Sequence, residues 1–558
     1  MVHKIIQNIK EALKNAAQKA KEAGELNYNA LPEFVLEVPR EKQHGDFATN
    51  LAMLLAKEAK KAPRQIAEII EKNFTKEGTW VQEITIAGPG FINFKLDNSW
   101  LYEIIPQVLA AGKDYGTSQV GKGKKVQVEF VSANPTGLLH MGNARGAALG
   151  DTIASLLTAT GFAVSREYYI NDAGNQMEKF AISLEARYLQ ALGQNVPFPE
   201  DGYHGEDLLD TAQSFIAQYG DKYLHIEEEE RRKVLAQFGL EEKMQAIRKG
   251  LEDFGVKYDE WFSEKSLYES GAIEKTIKLL QEKGYVYEKE GALWFKTTLF
   301  GDEKDEVLVR SNGTPTYFAA DIAYHLNKLE RGFEWLINLW GADHHGHVAR
   351  MKGALQALGQ DPNRLDVVIM QLVRLFSNGE ILRMSKRTGQ YVTLQELMED
   401  VGKDAARYFF VMRGADSHLD FDLDLAKSES NENPVFYVQY AHARICSILR
   451  QAKEVQEVST NNGEANYELL KEPSELELLR KIADYPEVVT GAALALEPHR
   501  LTKYAGELAG LFHSFYSNCR VLNVEPELSQ VRINLVKATQ VTLNNLLNLL
   551  GVTAPEKM

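Results

Sequence analysis

The sequence predicts a multidomain α/β protein, and three observations support this class. The chain has 558 residues, too many for one hydrophobic core and enough for about three or four domains. The segment "VQVEFVSA", beginning at Val126, is typical of a strand buried in a parallel sheet, and helix-like and strand-like segments alternate after it to about residue 430. Helical periodicity dominates from Asn433 onwards.

Changes in these patterns predict the domain boundaries. Residues 1–115 alternate helix signals with two strand candidates, "EFVLEVP" and "EITIAGPGFINFKL", which indicates a small α+β domain. Residues 110–125 are rich in Gly and Lys without an apolar period and read as a linker. We expect the α/β domain over residues 116–430, with a helical insertion at about 175–285, and an all-helical domain over residues 431–558.

Composition and charge limit the partners and the compartment. Lys and Arg number 63 against 78 Asp and Glu, a net charge of -15, which excludes a uniformly basic surface that coats nucleic acid but allows local basic patches. Cys446 and Cys519 are too few for a disulfide framework or a thiolate zinc site, so a reducing cytoplasm is expected. No apolar run approaches the ~20 residues that cross a membrane. We expect neither DNA nor a membrane as partner, and a monomer.

The stretch "VSANPTGLLHMGNARGAALGD", residues 131–151, joins a strand, a turn and a small-residue helix. Free N–H groups at a helix start attract anions, so we expect a phosphate site there. The turn lacks the Gly spacing of a P-loop or a dinucleotide fingerprint, so His140 and Asn143, three residues apart, would hold the anion. Gly142 and two further glycines at four-residue spacing leave a stripe without bulk, which either ligand approach or tight helix packing explains.

A second motif follows in "RLFSNGEILRMSKRTGQYVTL", residues 374–394. Strand-like pieces flank a compact cationic loop at about residues 376–392, which includes Met384, Ser385 and Lys386. Such a loop can place an ammonium group on a triphosphate, although an ordinary solvated basic loop has the same composition.

The two motifs together resemble the paired signatures of class I aminoacyl-tRNA synthetases. His140 to Asn143 correspond to the HIGH motif, and Arg383 to Lys386 correspond to KMSKS. The segments "TYFAADIAYH", "GADHHGHVARM", "RYFFVMRGADSHLDFDLD" and "FYVQYAHARI" narrow the resemblance to the bacterial arginyl-tRNA synthetases, and it extends to Met558. Asn143 replaces the second His of HIGH and Arg383 replaces the first Lys of KMSKS, so a role that needs an imidazolium at position 143 is in doubt.

This resemblance implies an architecture and a reaction. It implies a doubly wound, Rossmann-like parallel sheet in the catalytic domain, an α+β N-terminal domain that reads the tRNA elbow, and an all-helical anticodon-binding domain. The implied enzyme is an ATP-dependent ligase. It activates L-arginine with ATP, with Mg²⁺, to arginyl-adenylate and pyrophosphate, and then transfers arginine to the 3′-terminal adenosine of its tRNA. The family needs tRNA for the first step.

The resemblance also implies roles for single residues. For catalysis they are His140, Asn143 and Lys386, and for ATP binding these three with Gly142, Met384 and Ser385. For arginine they are Glu129, Ser132, Asn134, Tyr317, Asp321 and His345. For tRNA they are Phe91, Asn93, Tyr516, Arg520 and Met558.

Spacing gives two groups of these predicted arginine contacts a physical reason. Glu129, Ser132 and Asn134 alternate along the end of the first strand and are expected to share one face, toward the ammonium and carboxylate groups of arginine. Tyr317 and Asp321 are four residues apart, and Asp321 would hold the guanidinium bidentately beside the Tyr317 ring.

The segment "GADHHGH" leaves a metal site open on spacing alone, because Asp343, His344, His345 and His347 are all competent ligands. The resemblance places it beside the substrate pockets without a metal, so we expect no zinc and a substrate contact from His344 or His345.

Two other functions fit part of the chain. A catalytically idle tRNA-binding relative would keep the helical C-terminal domain, but His140, Lys386, Tyr317 and Asp321 are all retained. A class I synthetase for another amino acid would share the motifs, but the pair of Glu129 and Asp321 favours a cationic substrate.

Overall fold

The computed structural model describes residues 2–39, 41–382, 392–454 and 465–558. Its N-terminal part packs helices against one face of a small antiparallel sheet. The elements are α1 (Val2–Glu22), β1 (Leu36–Glu37), β2 (Phe47–Thr49), α2 (Leu51–Ala59), α3 (Pro63–Asn73), β3 (Val81–Ala87), β4 (Phe91–Leu96), α4 (Ser99–Tyr102) and α5 (Ile104–Ala111).

Amphipathic patterning explains this N-terminal fold. α1 buries Ile5, Ile9 and Leu13 on one face, as the helical spacing predicts. The sheet order is β1-β2-β4-β3, and the second strand candidate forms the β3–β4 hairpin. Its turn needs glycine at position 90, where φ is +136° and a Cβ atom would lie 2.8 Å from the backbone carbonyl carbon of Pro63.

A five-stranded parallel sheet forms the centre of the molecule, in the order β12-β11-β5-β6-β7. The elements of this central region, in chain order, are β5 (Lys125–Glu129), α6 (Met141–Ala159), β6 (Ala163–Ile170), α7 (Asn175–Ala191), α8 (Glu206–Tyr219), α9 (Glu228–Asp253), β7 (Glu260–Ser263), α10 (Lys265–Glu269), α11 (Ala272–Glu282), β8 (Val286–Lys289), β9 (Ala292–Phe295), β10 (Glu306–Val309), α12 (Tyr317–Glu330), β11 (Trp335–Gly341), α13 (His345–Ala357) and β12 (Leu365–Met370). Strand order changes direction at β5, with β6 on one side and β11 on the other. This topology confirms the doubly wound sheet, and it leaves a crevice at the carboxyl end of β5.

The segment expected to be a helical insertion has two parts. Helices α7, α8 and α9 pack around their own small core, which includes Phe180, Leu184 and Phe215. β7, however, joins the central sheet beside β6, which the charged composition of the region did not indicate.

Two small sheets and a long helix complete the central region. β8, β9 and β10 form one antiparallel sheet. The later elements are β13 (Val373–Ser377), β14 (Glu380–Leu382), α14 (Leu394–Val411), β15 (Leu419–Asp422) and α15 (Leu423–Lys427). The first half of α14 ends at Gly402, where φ is +78° and the helix kinks.

In the described residues of the C-terminal part, 431–454 and 465–558, there are four long helices, as the periodicity predicts. They are α16 (Pro434–Glu454), α17 (Pro473–Ala495), α18 (His499–Asn518) and α19 (Pro526–Leu550). Within the described ranges, no helix is both long enough and apolar enough to cross a membrane.

A buried arginine joins this helical part to the central sheet. Arg407 of α14 is fully buried and donates to Asp151 of α6 at 2.7 Å and to the Leu550 carbonyl at the end of α19 at 2.9 Å. Gly551 has no side chain to obstruct it, since a Cβ atom there would lie 2.3 Å from the guanidinium. The orientation of the C-terminal helices is therefore fixed through the helix that follows β5.

Candidate active site

A cavity of about 1020 Å³ lies in the crevice at the carboxyl end of β5. The β5–α6 connection, the ends of β6 and β7, and the starts of α12 and α13 all contribute to its lining. Six of the predicted residues line it together, namely Ser132, Asn134, His140, Asn143, Tyr317 and Asp321. Four of the residues predicted for arginine and two of those predicted for ATP therefore lie around one cavity, although they are distant in the chain.

The backbone turns sharply where β5 enters this cavity. Val131 has φ +70° and Ser132 has φ +40°, and such values are sterically unfavourable for residues with a Cβ atom, most of all for a β-branched one. Each costs of the order of 1–3 kcal/mol, so neighbouring groups must hold the corner in place. Tyr258 donates to the Phe130 carbonyl at 3.0 Å, and Tyr168 donates to the Ala133 carbonyl at 2.8 Å.

The predicted face of Glu129, Ser132 and Asn134 is wrong, because β5 ends at Glu129 and the chain then turns. Glu129 lies beneath the corner, 8% exposed, and does not line the cavity. Its Oε1 accepts from Ser132 Oγ at 3.0 Å and its Oε2 accepts from Lys328 Nζ at 2.6 Å. Asn134 lies farther along the lining, where its side-chain oxygen accepts from Asn171 Nδ2 at 3.1 Å.

His140 and Asn143 cap the N-terminus of α6. His140 Nδ1 accepts from the Gly142 N–H at 3.1 Å, and Asn143 Oδ1 accepts from the His140 N–H at 3.1 Å. Because Nδ1 is an acceptor, a neutral ring has its proton on Nε2 and can act as a donor there. Desolvation lowers the pKa of His140 below its ordinary value of 6.5, which favours this neutral form. The helix start thus offers hydrogen-bond donors without a full charge.

Tight packing accounts for most of the small-residue stripe on α6. A Cβ atom at Gly150 would lie 2.2 Å from the Phe130 ring, and one at Gly146 would lie 3.2 Å from the Met370 side chain. Gly142 differs, because a Cβ atom there would meet only the His140 ring, at 3.0 Å. The first of the three glycines lies next to His140, where the sequence predicts an anion site, and the other two allow the helix to approach the sheet.

Three buried oxygen acceptors without a described partner also line the cavity. Glu264, at the end of β7, is 1% exposed, and its Oε1 has no hydrogen-bond partner among the described residues. The side-chain oxygens of Asn171 and Gln176 are also buried without a described partner. Burial and the nearby carboxylates of Asp321 and Asp172 raise the pKa of Glu264 from 4.5 to about 7. A cation with several N–H donors would satisfy these oxygens and offset the repulsion between the carboxylates.

Sequence reasoning missed Glu264, Asn171 and Gln176. The region before Glu264 reads as charged helix, so the short strand β7 and its carboxyl end were not recognised. An acidic residue two positions after "WF" was the available signal, because ligands bind at the carboxyl ends of parallel strands.

The histidine-rich segment lies at the start of α13. His347 Nε2 is 3.0 Å from Asp321 Oδ2, so this ring orients the carboxylate predicted to hold the guanidinium. His344 lines the cavity, whereas His345 is exposed and does not. Across the four described ranges, no group of three or more His, Cys, Asp or Glu side chains is arranged to hold a metal ion.

Met384, Ser385 and Lys386 lie outside the described residues. The described chain resumes at Val392, and its first residues are hydrogen-bonded to the start of α6, where the anion site is predicted. The Met141 N–H donates to the Val392 carbonyl at 3.1 Å, and the Leu394 N–H donates to the Leu139 carbonyl at 2.8 Å. The start of α14 is thereby held against the start of α6.

Two of the predicted tRNA contacts line a second cavity, of about 350 Å³, between α16 and α18. They are Tyr516, 39% exposed, and Met558, 55% exposed. The guanidinium of Arg444 lies 5.0 Å from the centroid of the Tyr516 ring and 5.1 Å from that of Tyr440. Arg520 is exposed beyond the end of α18 and does not line this cavity.

The other two predicted tRNA contacts lie on β4. Phe91 and Asn93 alternate with the core residues Ile92 and Phe94, so they lie on the opposite face of the N-terminal sheet. Phe91 is partly exposed at the start of the strand. Asn93 is only 4% exposed between β2 and β3.

Family models match almost the whole chain. Residues 3–96 match the arginyl tRNA synthetase N terminal domain, residues 104–412 match the catalytic domain of class I (R) tRNA synthetases, and residues 438–558 match the DALR anticodon binding domain. The doubly wound sheet and its cavity thus belong to a class I aminoacyl-tRNA synthetase.

Similar proteins specify the member of that class. The arginine–tRNA ligase of Moorella thermoacetica is 65% identical over 547 residues, covering 98% of each chain, and that of Heliobacterium modesticaldum is 62% identical over 100% of each chain. The solved Thermus thermophilus arginyl-tRNA synthetase has a TM-score of 0.76 at 26% identity, covering 99% of this chain and 100% of that one. A solved arginyl-tRNA synthetase from Campylobacter jejuni has a TM-score of 0.75 at 34% identity, covering 83% and 100%. The chain belongs to the arginyl-tRNA synthetase family.

Proposed function

We propose that this enzyme joins L-arginine to its tRNA in two steps with ATP. The observation that supports arginine is the set of unsatisfied buried oxygens at Glu264, Asn171 and Gln176, next to Asp321. A planar guanidinium has five N–H donors and no acceptor, which suits a wall of oxygen acceptors better than any other amino acid side chain does.

The ATP phosphates would lie at the other end of the cavity, against the start of α6. His140 and Asn143 would donate to phosphate oxygens there, and Gly142 leaves room for their approach. Lys386, with Met384 and Ser385, would bring a positive charge to the same phosphates. These groups would stabilise the charge that develops as the arginine carboxylate attacks the α-phosphate and pyrophosphate leaves.

Arginine would have its guanidinium at the buried oxygens and its carboxylate directed toward the ATP phosphates. Asp321, oriented by His347, would hold the guanidinium together with Glu264, and Tyr317 would cover its face. Ser132 and Asn134 would hold the ammonium and carboxylate groups, and Glu129 would support them from beneath the corner. Of the two histidines expected to contact substrate, we propose His344, because it lines the cavity and His345 does not.

Mg²⁺ would accompany ATP and neutralise part of its phosphate charge. Because Mg²⁺ keeps several waters and takes most other ligands from phosphate, it needs only one or two protein carboxylates. Asp343 is the exposed carboxylate in the cavity lining that fits this need. We propose no zinc site in the histidine-rich segment at the start of α13. Its His344 pairs with Asp343, and its His347 pairs with Asp321 of α12.

The tRNA would contact all three parts of the chain. We propose that residues 1–115 bind the elbow through Phe91 and Asn93, that residues 116–430 bind the acceptor end, and that residues 431–558 bind the anticodon. In residues 431–558, Tyr516 and Met558 line a cavity suited to an unstacked base. Arg520 would lie near the RNA backbone.

We also propose a monomer in the cytoplasm, with neither DNA nor a membrane as partner. Both cysteines are buried free thiols, a state that a reducing compartment preserves.

Arginine-dependent ATP–pyrophosphate exchange tests this function. We expect exchange with arginine only when tRNA specific for arginine is present, and transfer of labelled arginine to that tRNA. Exchange with a different amino acid would refute the substrate, and no exchange under either condition would favour an idle tRNA-binding protein.

A further inference from the structure

The pocket proposed for arginine has two walls that come from different parts of the chain. The strand wall is the corner after β5, where Ser132 lines the cavity and Glu129 supports it from beneath, and the helix wall is the start of α12, with Tyr317 and Asp321. One buried cation joins them. Lys328, near the end of α12, is fully buried, and its ammonium lies 2.6 Å from Glu129 Oε2.

The same ammonium is held by a second set of contacts that leads to the helix wall. Lys328 Nζ donates to Asn338 Oδ1 at 3.0 Å, and Asn338 Nδ2 donates to His325 Nε2 at 2.7 Å. His325 Nδ1 donates to the Asp321 carbonyl at 2.8 Å. Burial lowers the pKa of His325 well below its ordinary value, so this ring is neutral and the positive charge beside Glu129 belongs to Lys328.

Attachment of α12 to the sheet does not by itself require this ion pair. Arg331, at the end of the same helix, makes a bidentate contact with Glu167 at 2.7 and 2.8 Å, and Phe318, Ile322 and Leu326 bury apolar surface. Moreover, a buried ion pair rarely stabilises a protein more than apolar side chains of the same volume would. What distinguishes Lys328 from Arg331 is its partner, because Glu129 holds the hydroxyl of Ser132 at the strained corner.

We infer that Lys328 is a positioning residue for arginine, which fixes the strand wall relative to the helix wall and supplies the counter-charge that holds Glu129 beneath Ser132. This inference rests on the proposed function, since it takes arginine to be the occupant of the pocket. Loss of the cation would let Glu129 and Ser132 shift toward solvent while the anion site at α6 keeps its own hydrogen bonds. Arginine use would therefore suffer more than ATP use.

The test compares Lys328→Met, which keeps an unbranched stem of similar shape but removes the ammonium group and its donors, with Arg331→Met, which removes the cation of the neighbouring pair. The Michaelis constants for arginine and for ATP are measured by pyrophosphate exchange in the presence of tRNA, and folding is checked by circular dichroism. We expect Lys328→Met to raise the KM for arginine by roughly tenfold or more, because displacement of substrate-positioning groups by about 1 Å can cost 100-fold in rate. We expect its KM for ATP to change by less than about threefold, and Arg331→Met to leave the KM for arginine within that range.

If Lys328→Met does not fold, Lys328→Gln replaces it, since its amide can still donate within the network but is one atom shorter. An unchanged KM for arginine in the folded variant would overturn the inference, and so would an equal increase in Arg331→Met. The wild-type enzyme separates this result from the proposed function. If the wild type does not charge tRNA with arginine, the proposed function fails, whereas normal charging with a silent Lys328 variant refutes only the positioning role.

Discussion

Replacement of Glu264 by Gln should stabilise the empty enzyme and impair its use of arginine. The carboxyl group is 1% exposed and lies beside Asp321 and Asp172, and these surroundings raise its pKa from 4.5 to about 7. Between these two pH values the native protein holds a proton that the unfolded chain has released. The stability of the empty protein therefore falls as the pH rises through this window.

The pKa gives the size of the effect. A rise from 4.5 to about 7 corresponds to roughly 3 kcal/mol of unfavourable free energy for the ionised form at pH 8. Glu264→Gln removes this charge, so at pH 8 we expect unfolding at a temperature several degrees higher, and at pH 4.5 almost no difference from wild type. The gain is at most that large, because the amide brings its own donors into a site of oxygen acceptors.

The same substitution should weaken arginine binding. Loss of a charged hydrogen bond to the guanidinium costs about 1.5–3 kcal/mol, so the KM for arginine should rise by roughly 10- to 150-fold. In the wild type this KM should also rise as the pH falls below about 7, because protonation of Glu264 removes the same charge, whereas the variant should lack this dependence.

Differential scanning calorimetry from pH 4.5 to 8 measures the stability effect, and pyrophosphate exchange from pH 6 to 8 measures the effect on arginine use. Glu260→Gln is the matched control, since Glu260 is exposed at the start of β7, the strand that precedes Glu264, and does not line the cavity. A variant that is no more stable than wild type at pH 8, or whose KM for arginine is unchanged, would refute the account of this site.

Three further outcomes follow from the anion site, the second cavity and the histidine-rich segment. Asn143→Ala removes one half of the α6 capping box, so we expect it to lower the stability by about 0.5–2 kcal/mol and to raise the KM for ATP. Asn143→His should retain activity if a neutral donor at this position is sufficient. Arg444→Gln removes the guanidinium between Tyr440 and Tyr516, and it should raise the KM for tRNA in aminoacylation while the fold is unchanged by circular dichroism. Metal analysis of the purified protein should find no stoichiometric zinc, and a one-to-one zinc signal would contradict the assignment of His344 and His347 to the substrate cavity.

Local pattern sufficed for the fold because each part of the chain has its own periodicity. The apolar face of α1, the buried run of β5 and the long C-terminal helices were all visible in the sequence. The doubly wound sheet followed from the resemblance of the motifs to a family. The strand β7 was not visible, since four residues of mixed polarity inside a charged region give no period-two signal.

Residues of the candidate site could be predicted where a sequence motif contains them. They were harder to predict where tertiary contacts determine the role of a residue. His140, Asn143, Tyr317 and Asp321 line one cavity, because each lies at the start of a helix at the carboxyl edge of the sheet. Glu129 was expected beside Ser132 on a strand face, but two positive φ values after it turn the chain and leave Glu129 beneath. Such a turn has no sequence signal when glycine is absent from it.

The corner at Val131 and Ser132 also bears on attempts to make this enzyme more heat-resistant. A glycine at position 131 would adopt φ +70° without steric cost, so the substitution would relieve local strain in the native state. It would equally free the corner to adopt other conformations, and Ser132 would lose its fixed place above Glu129. A screen that selects only for heat resistance could accept this change, whereas a screen that also requires aminoacylation should reject it. At this corner, selection for thermal stability and selection for activity would therefore favour different residues.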